Sequence, residues 1–436
     1  MCLSRFIVAV VLAASVGIEA RAFASTCESA APAMPLTPAP ALQRMEACNR
    51  DLQAAQRAVA ASLADVRIAG QGPNPTLTVG AGSISPSAGI GAGPVWRKTL
   101  DNSLRYEQVI ERGGKLSLRR RAAEQLVVAA RQDVAEVRRQ QSLTVLQTMV
   151  DVATADERVA LLADISKLYD ESQRANERRM ARGDLAPIDA QRQAIEATRA
   201  QGDLQQSKAD ALRARLALAG LLALEPAAAT LEVDPVVFDT AAAAHAADDV
   251  DADERRPDVA AARARADAAR TARDLARVQS KADVTVGLQF DHWPTSAANS
   301  VGTGNTVSVT LSIPLMLRHS FDGELARALS DSDAAEESLV RVLANARAER
   351  ARMDNDLASA RTRQQLLQTR LAPQAEQVAR AAELGYANGA LNLLELLDAR
   401  RGLRQTRLDL LAARADAARA AFARSRWASA PDAAAL

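Results

Sequence analysis

Thr76-Leu77-Thr78-Val79-Gly80 and Asp283-Val284-Thr285-Val286-Gly287 decide how this chain of 436 residues is read. Both alternate apolar with polar or small side chains, and they lie about 207 residues apart. Further along, Asn102-Ser103-Leu104 opens a strand-like run, as does Asn305-Thr306-Val307. Arg182-Gly183-Asp184-Leu185 then stands opposite Asn388-Gly389-Ala390-Leu391, so the later offsets are about 203 and 206 residues. A period this long marks a duplicated domain, not a solenoid of short repeats. Each half reads helix, strand, strand, very long helix, tight turn, helix.

The strand runs share one pattern. Val307, Val309, Leu311 and Ile313 interleave with Thr306, Ser308, Thr310 and Ser312, and Val284, Val286, Leu288 and Phe290 with Thr285, Gly287 and Gln289. In the first half Leu77, Val79 and Ala81 alternate with Thr78, Gly80 and Gly82, while Leu104, Tyr106 and Ile110 lie opposite Arg105, Glu107 and Val109. Period two puts one row on each face of a sheet. A soluble sheet with one wet face has the same pattern, but runs of about nine residues match a tilted membrane strand. Trp96, Tyr106, Phe290 and Trp293 fall in or beside the runs, as an interfacial aromatic girdle would.

The helices explain the composition. Alanine supplies 97 residues and aromatics only 3%, which suits long, closely packed helices. From Lys115 to Ala181 there is neither Pro nor Gly, and Val134, Val137, Leu146, Val150, Ala153, Leu162 and Ile165 form an apolar stripe. At about 1.5 Å per residue the helix is on the order of 100 Å long. Its counterpart, Gly323 to Leu384, carries Pro373, which predicts a kink unless the helix accommodates it locally. Helices of this length without internal caps predict coiled-coil hairpins.

Residues 1–24 read as a secretory signal peptide: Arg5, an apolar run from Phe6 to Ile18, and Ala22-Phe23-Ala24 before the cut. The mature chain divides into a first repeat over 25–224, a connector over 225–257 rich in Pro, Ala and Asp, a second repeat over 258–427, and a tail over 428–436. Cys27 has two readings, lipid attachment or a disulfide with Cys48 in an oxidising compartment.

Other functions are disfavoured. A formal net charge of +1 removes the global basic face that nucleic acid requires. Three His and three Cys, with no CxxC spacing, leave little for a metal centre or a catalytic triad. Metal capture by Asp248, Asp249, Asp251, Asp253 and Glu254 with His245 is a minor reading. Gly113-Gly114-Lys115 lacks both the earlier Gly (Val109) and the following Ser or Thr (Leu116) of a phosphate loop. No enzyme and no cofactor is expected.

Four strands cannot close, and open edges in lipid cost several kcal/mol for each unpaired group. Two chains would give a filled eight-stranded barrel and three a twelve-stranded one with a lumen. A homotrimer is therefore the smallest arrangement that transports.

With these features the chain resembles the TolC-like outer-membrane efflux channels. The carriers are Asn74-Pro75-Thr76-Leu77, Tyr106 through Lys115, Arg179 through Asp189, and Tyr386-Ala387-Asn388-Gly389 followed by Leu394-Glu395-Leu396-Leu397-Asp398-Ala399-Arg400. The Glu111-Arg112-Gly113-Gly114-Lys115 junction is most similar to the cobalt-zinc-cadmium heavy-metal branch. The resemblance implies a mainly α fold with membrane β: a trimeric twelve-stranded barrel in outer-membrane lipid, continued by a periplasmic α-helical barrel. It also implies a periplasmic adaptor and an inner-membrane RND pump as partners. Gly183, Asp184, Asn388 and Gly389 match the helix tips that meet the adaptor. Glu395 and Asp398 match an acidic pair facing the pore, and Tyr386 and Asp189 match positions that hold the entrance closed. Where well-known members carry a gate arginine this chain has Leu391, so the closed state must use other contacts, with Arg182 and Arg400 among the candidates. The competing readings are a periplasmic adaptor, a coiled-coil scaffold, or a channel for drugs and other small hydrophobic molecules; two hairpins, each following a strand pair, argue against the first.

Overall fold

A computed structural model describes residues 35–84, 94, 98–182, 186–243, 252–295, 301 and 303–427. The signal peptide, Cys27, Trp96, Gly183, Asp184, His245, Asp248, Asp249, Asp251 and the tail lie outside the described residues. Cys48 is disulfide-bonded.

The two halves build the same unit. In the first, α2 (Arg50–Ala69) leads into β1 (Thr76–Gly82) and β2 (Asp101–Ile110), then α3 (Lys115–Ala181) and α4 (Pro187–Leu221) form a hairpin. The short α1 (Pro38–Cys48) precedes it, and Asn49 caps α2 by accepting the Leu52 N–H at 3.0 Å. In the second, α7 (Pro257–Gln279) leads into β3 (Val284–Trp293) and β4 (Gly304–Ser312). The next helix comes in three parts, α8 (Asp322–Leu366), a π turn (Leu367–Leu371) and α9 (Ala372–Ala387), before α10 (Leu393–Ser425) returns. A π turn accommodates Pro373. With no N–H at Pro373 the regular ladder fails, and one wider turn, in which the Ala372 N–H bonds to the Leu367 carbonyl, absorbs the mismatch.

The strands form one antiparallel sheet in the order β1-β2-β3-β4. Both repeats enter their long helix through a left-handed residue, Gly114 at φ 74° and Phe321 at φ 62°. Phe321 has a Cβ that disfavours this region, and its ring stacks on His319 at 4.3 Å.

The connector holds a 3-10 turn (Glu225–Thr230), α5 (Val236–Ala243) and α6 (Ala252–Arg255). It clasps the start of the described chain through a parallel bridge between Leu36 and Val233. Around that bridge lies the main core, in which Leu36, Met45, Leu52, Leu146, Met149, Leu218, Leu231 and Val237 are fully or nearly fully buried. A smaller apolar cluster sits near the hairpin tips, where Leu162, Tyr169, Ala200, Leu396 and Leu397 from both repeats meet. Asp253 and Glu254 lie in the first turn of α6, where negative charge suits a helix N-terminus.

Candidate channel wall and entrance

Register sorts the sheet into two faces, because directly paired residues in an antiparallel sheet point the same way. Leu77, Tyr106, Leu288 and Val309 form one row across all four strands, and Val79, Leu104, Phe290 and Val307 form the next. All eight are exposed, from 44% at Phe290 to 76% at Val79. An apolar surface of this breadth would not be left in water. The other face carries Thr76, Glu107, Gly287 and Thr310, then Thr78, Arg105, Gln289 and Ser308. On it Arg105 pairs with Glu107 at 2.8 Å, and Gln289 donates to Asp291 at 2.7 Å.

The expected aromatic girdle is corrected by this parity. Trp293 follows Gln289 and Asp291 at even steps, so it lies on the polar face, where its indole N–H donates to Thr306 at 3.1 Å. Tyr106 sits within the sheet between Leu77 and Leu288.

The Glu111-to-Lys115 motif is the joint between sheet and helices. Gly113 at φ 77° lets the chain turn against Lys281, whose Cδ would come within 2.9 Å of an added Cβ. Lys115, buried, donates from Nζ to Asp283 Oδ1 at 2.9 Å and to the Lys281 carbonyl at 2.8 Å. Asp283 also accepts the Arg112 N–H at 2.9 Å. Glu111 takes both Arg119 guanidinium nitrogens, at 2.6 and 2.8 Å. The motif therefore ties the β2–α3 joint of one repeat to the α7–β3 joint of the other.

At the far end the tips approach each other. Arg179, near the end of α3, donates to the Tyr386 hydroxyl at 3.1 Å and lies 5.6 Å from its ring centroid. The sequence pointed to Arg182 or Arg400. Arg179 lies one turn before Arg182 on the helix, and it is the residue that reaches Tyr386. Arg400 instead bonds Glu383 at 3.1 Å and reaches Ser172 Oγ at 3.4 Å. Ser172 accepts in turn from Gln193, which bonds Asn176, a buried polar chain inside the first hairpin. Leu391 joins the apolar cluster with Tyr386. It packs so closely on Gly385 that an added Cβ there would meet Leu391 Cδ1 at 2.8 Å.

Asn388 ends α9, and Gly389 at φ 73° makes the turn. Asn392 and Glu395 then form a reciprocal capping box, each side chain bonding the other's backbone N–H at 3.0 Å. One Glu395 oxygen is thus engaged, a structural use that the sequence reading missed although Asn392 stands three residues ahead. Asp398 lies one turn further on, exposed like Glu395. Asp189 opens α4 and pairs with Arg192 of its own helix at 3.3 Å.

Between tips and core an ionic seam joins the hairpins. Arg401, Arg404, Arg414 and Arg419 of α10 meet Glu196, Asp203, Glu157 and Asp151 of α3 and α4 at 2.7–3.1 Å. Glu196 is the buried member: hydrogen bonding from Arg401 holds its carboxyl below the usual range, although burial works the other way. Asp156 behaves oppositely, since burial raises it more than its partner Arg215 lowers it. Among the described residues no group of His, Cys, Asp and Glu is placed to hold a metal ion. None of their helices is long and apolar enough to cross a membrane.

A sheet apolar on one face and polar on the other, carrying long hairpins at one end, defines a β-barrel channel subunit. The chain belongs to the outer membrane efflux protein family, whose model matches residues 41–224 and again residues 250–423. It is 27% identical over 317 residues to the cobalt-zinc-cadmium resistance protein CzcC of Cupriavidus metallidurans, covering 72% of this chain and 74% of that one. Its fold is similar to that of a membrane protein from Pseudomonas aeruginosa, with a TM-score of 0.74 at 19% identity over 90% of this chain and 93% of the other. It is likewise similar to the channel protein CusC, with a TM-score of 0.74 at 18% identity over 89% and 91% of the two chains. The protein is thus an outer-membrane efflux channel with its helices in the periplasm.

Proposed function

We propose that three copies close a twelve-stranded barrel and a periplasmic helical tube, forming a passive export duct for divalent heavy-metal cations. The observation that carries the trimer is the open sheet, whose edge strands β1 and β4 each have one free side among the described residues. The similarity to a protein named for cobalt, zinc and cadmium resistance supports the cargo. Energy comes from an inner-membrane RND pump, reached through a periplasmic adaptor that docks on the tips at Gly183, Asp184, Asn388 and Gly389.

At the entrance, three copies of Glu395 and Asp398 stack two rings of carboxylates, since residues spaced by three share a helical face. Such rings favour cations over anions. Tyr386, held by Arg179, and Asp189, paired with Arg192, complete the closed constriction. Glu395→Ala with Asp398→Ala is expected to weaken divalent-cation block of single-channel current in planar bilayers. Unchanged block dismisses the acidic rings. Deleting the protein should lower tolerance to zinc and cobalt; lost tolerance to apolar drugs alone would replace metal with drug as the cargo.

A further inference from the structure

The apolar surface of the sheet continues past the strands. After Ser312, residues 313–321 lead into α8, and Leu315 and Leu317 are 77% and 83% exposed, with Ile313 and Met316 exposed beside them. The corresponding link of the first repeat, 111–114, is shorter and has no apolar residue. Arg318 follows at once and is exposed too. In the first repeat, Leu116 is exposed in the first turn of α3. One turn on, Arg120 has a 61% exposed side chain that pairs with Glu124 of its own helix. Leu116 and Arg120 both lie against the α2–β1 turn, at Gly72 and Gly70.

We infer that the Leu315-Met316-Leu317-Arg318 segment, with Leu116 and Arg120, is an interfacial anchor for anionic phospholipid in the membrane leaflet that faces the helices. The position selects the occupant. The segment starts where the lipid-facing residues Val307, Val309 and Leu311 end, so its apolar side chains meet the same membrane one step deeper towards the periplasm. An arginine directly after exposed leucines can keep its stem on the acyl boundary and its guanidinium among phosphates. Basic groups at a membrane surface draw anionic headgroups, and an exposed ion pair such as Arg120–Glu124 holds its arginine too weakly to compete. The second repeat thus supplies the apolar link of the anchor, which the shorter link 111–114 of the first repeat has no residues to supply. The inference rests on the outer-membrane channel reading.

The test uses the full chain carrying Leu317→Trp, reconstituted into vesicles of phosphatidylethanolamine and phosphatidylglycerol in equal parts. Bromine quencher is placed on the upper acyl chain of one lipid or of the other. The fluorescence gained over wild type is expected to be quenched by both, and at least about twofold more by the brominated phosphatidylglycerol. Adding Arg318→Glu and Arg120→Glu should abolish that preference, each arginine accounting for enrichment on the order of fivefold. Conducting channels without quenching by either lipid overturn the anchor and place the segment against a neighbouring copy. Equal quenching by both overturns the anionic preference. A preparation that never inserts or conducts overturns the channel reading, and the anchor with it.

Discussion

Removing Arg401 tests how the two hairpins hold together. Glu196 on α4 is 4% exposed, and one of its oxygens accepts Arg401 Nη2 at 2.7 Å and Arg199 Nη1 at 2.9 Å. Arg401→Ala leaves that buried carboxylate with Arg199 alone, whose side chain is 65% exposed. A hydrogen bond to a charged group contributes about 1.5–3 kcal/mol. Arg401 is itself 43% exposed, so screening brings the expected loss to about 1.5 kcal/mol. Glu196→Gln keeps an acceptor and should cost about 1 kcal/mol, while the double variant should cost less than the two singles together. The pH dependence has a definite sign. A carboxyl held low in the folded state contributes fully above its ordinary value near 4.5, and the contribution is lost as pH falls through the lowered folded value. Guanidinium unfolding in detergent, followed by circular dichroism, should separate Arg401→Ala from wild type at neutral pH and bring the two together as pH falls through the lowered folded value. Equal stability at neutral pH, or a gap that widens in acid, refutes the seam.

Leu288→Arg puts a charge in the middle of the apolar face and should cost about 2–4 kcal/mol if that face meets lipid; the readout is the fraction of heat-modifiable trimer in outer-membrane preparations. Lys115→Met keeps the buried stem but strips Asp283 of its cation. Breaking a buried pair costs about 3–5 kcal/mol, discounted here to about 2 kcal/mol because Asp283 is 30% exposed, and thermal unfolding measures it. Gly385→Ala should push Leu391 out of the tip cluster at a cost of about 1–3 kcal/mol, seen as faster hydrogen exchange from Leu384 to Leu397 with the α3–α4 hairpin unchanged.

The architecture was legible because it rests on periodicities. Alternation located all four strands, and the stretch without Pro or Gly from Lys115 to Ala181 coincides with α3. Pro373 announced a disturbance, but its missing N–H does not say which local geometry absorbs it, here a π turn. Trp293 was misplaced because proximity to a strand end does not tell which face a side chain takes; its even spacing from Gln289 and Asp291 was the available signal. At the entrance, Leu391 was visible as a departure from the family pattern. The contact from Arg179 was not, since that arginine and Tyr386 are 207 residues apart and meet only once the hairpins dock. Any solvated helix face carries charges like those along α10, and nothing local marks Arg401 and Arg404 as ties to Glu196 and Asp203.

The most direct test is the mass of the assembly extracted intact from outer membranes, measured by native mass spectrometry in detergent. The proposed twelve-stranded barrel, with four strands from each chain, predicts three copies of the chain in each particle. Recovery as a single chain, or from the soluble periplasm without detergent, contradicts the channel.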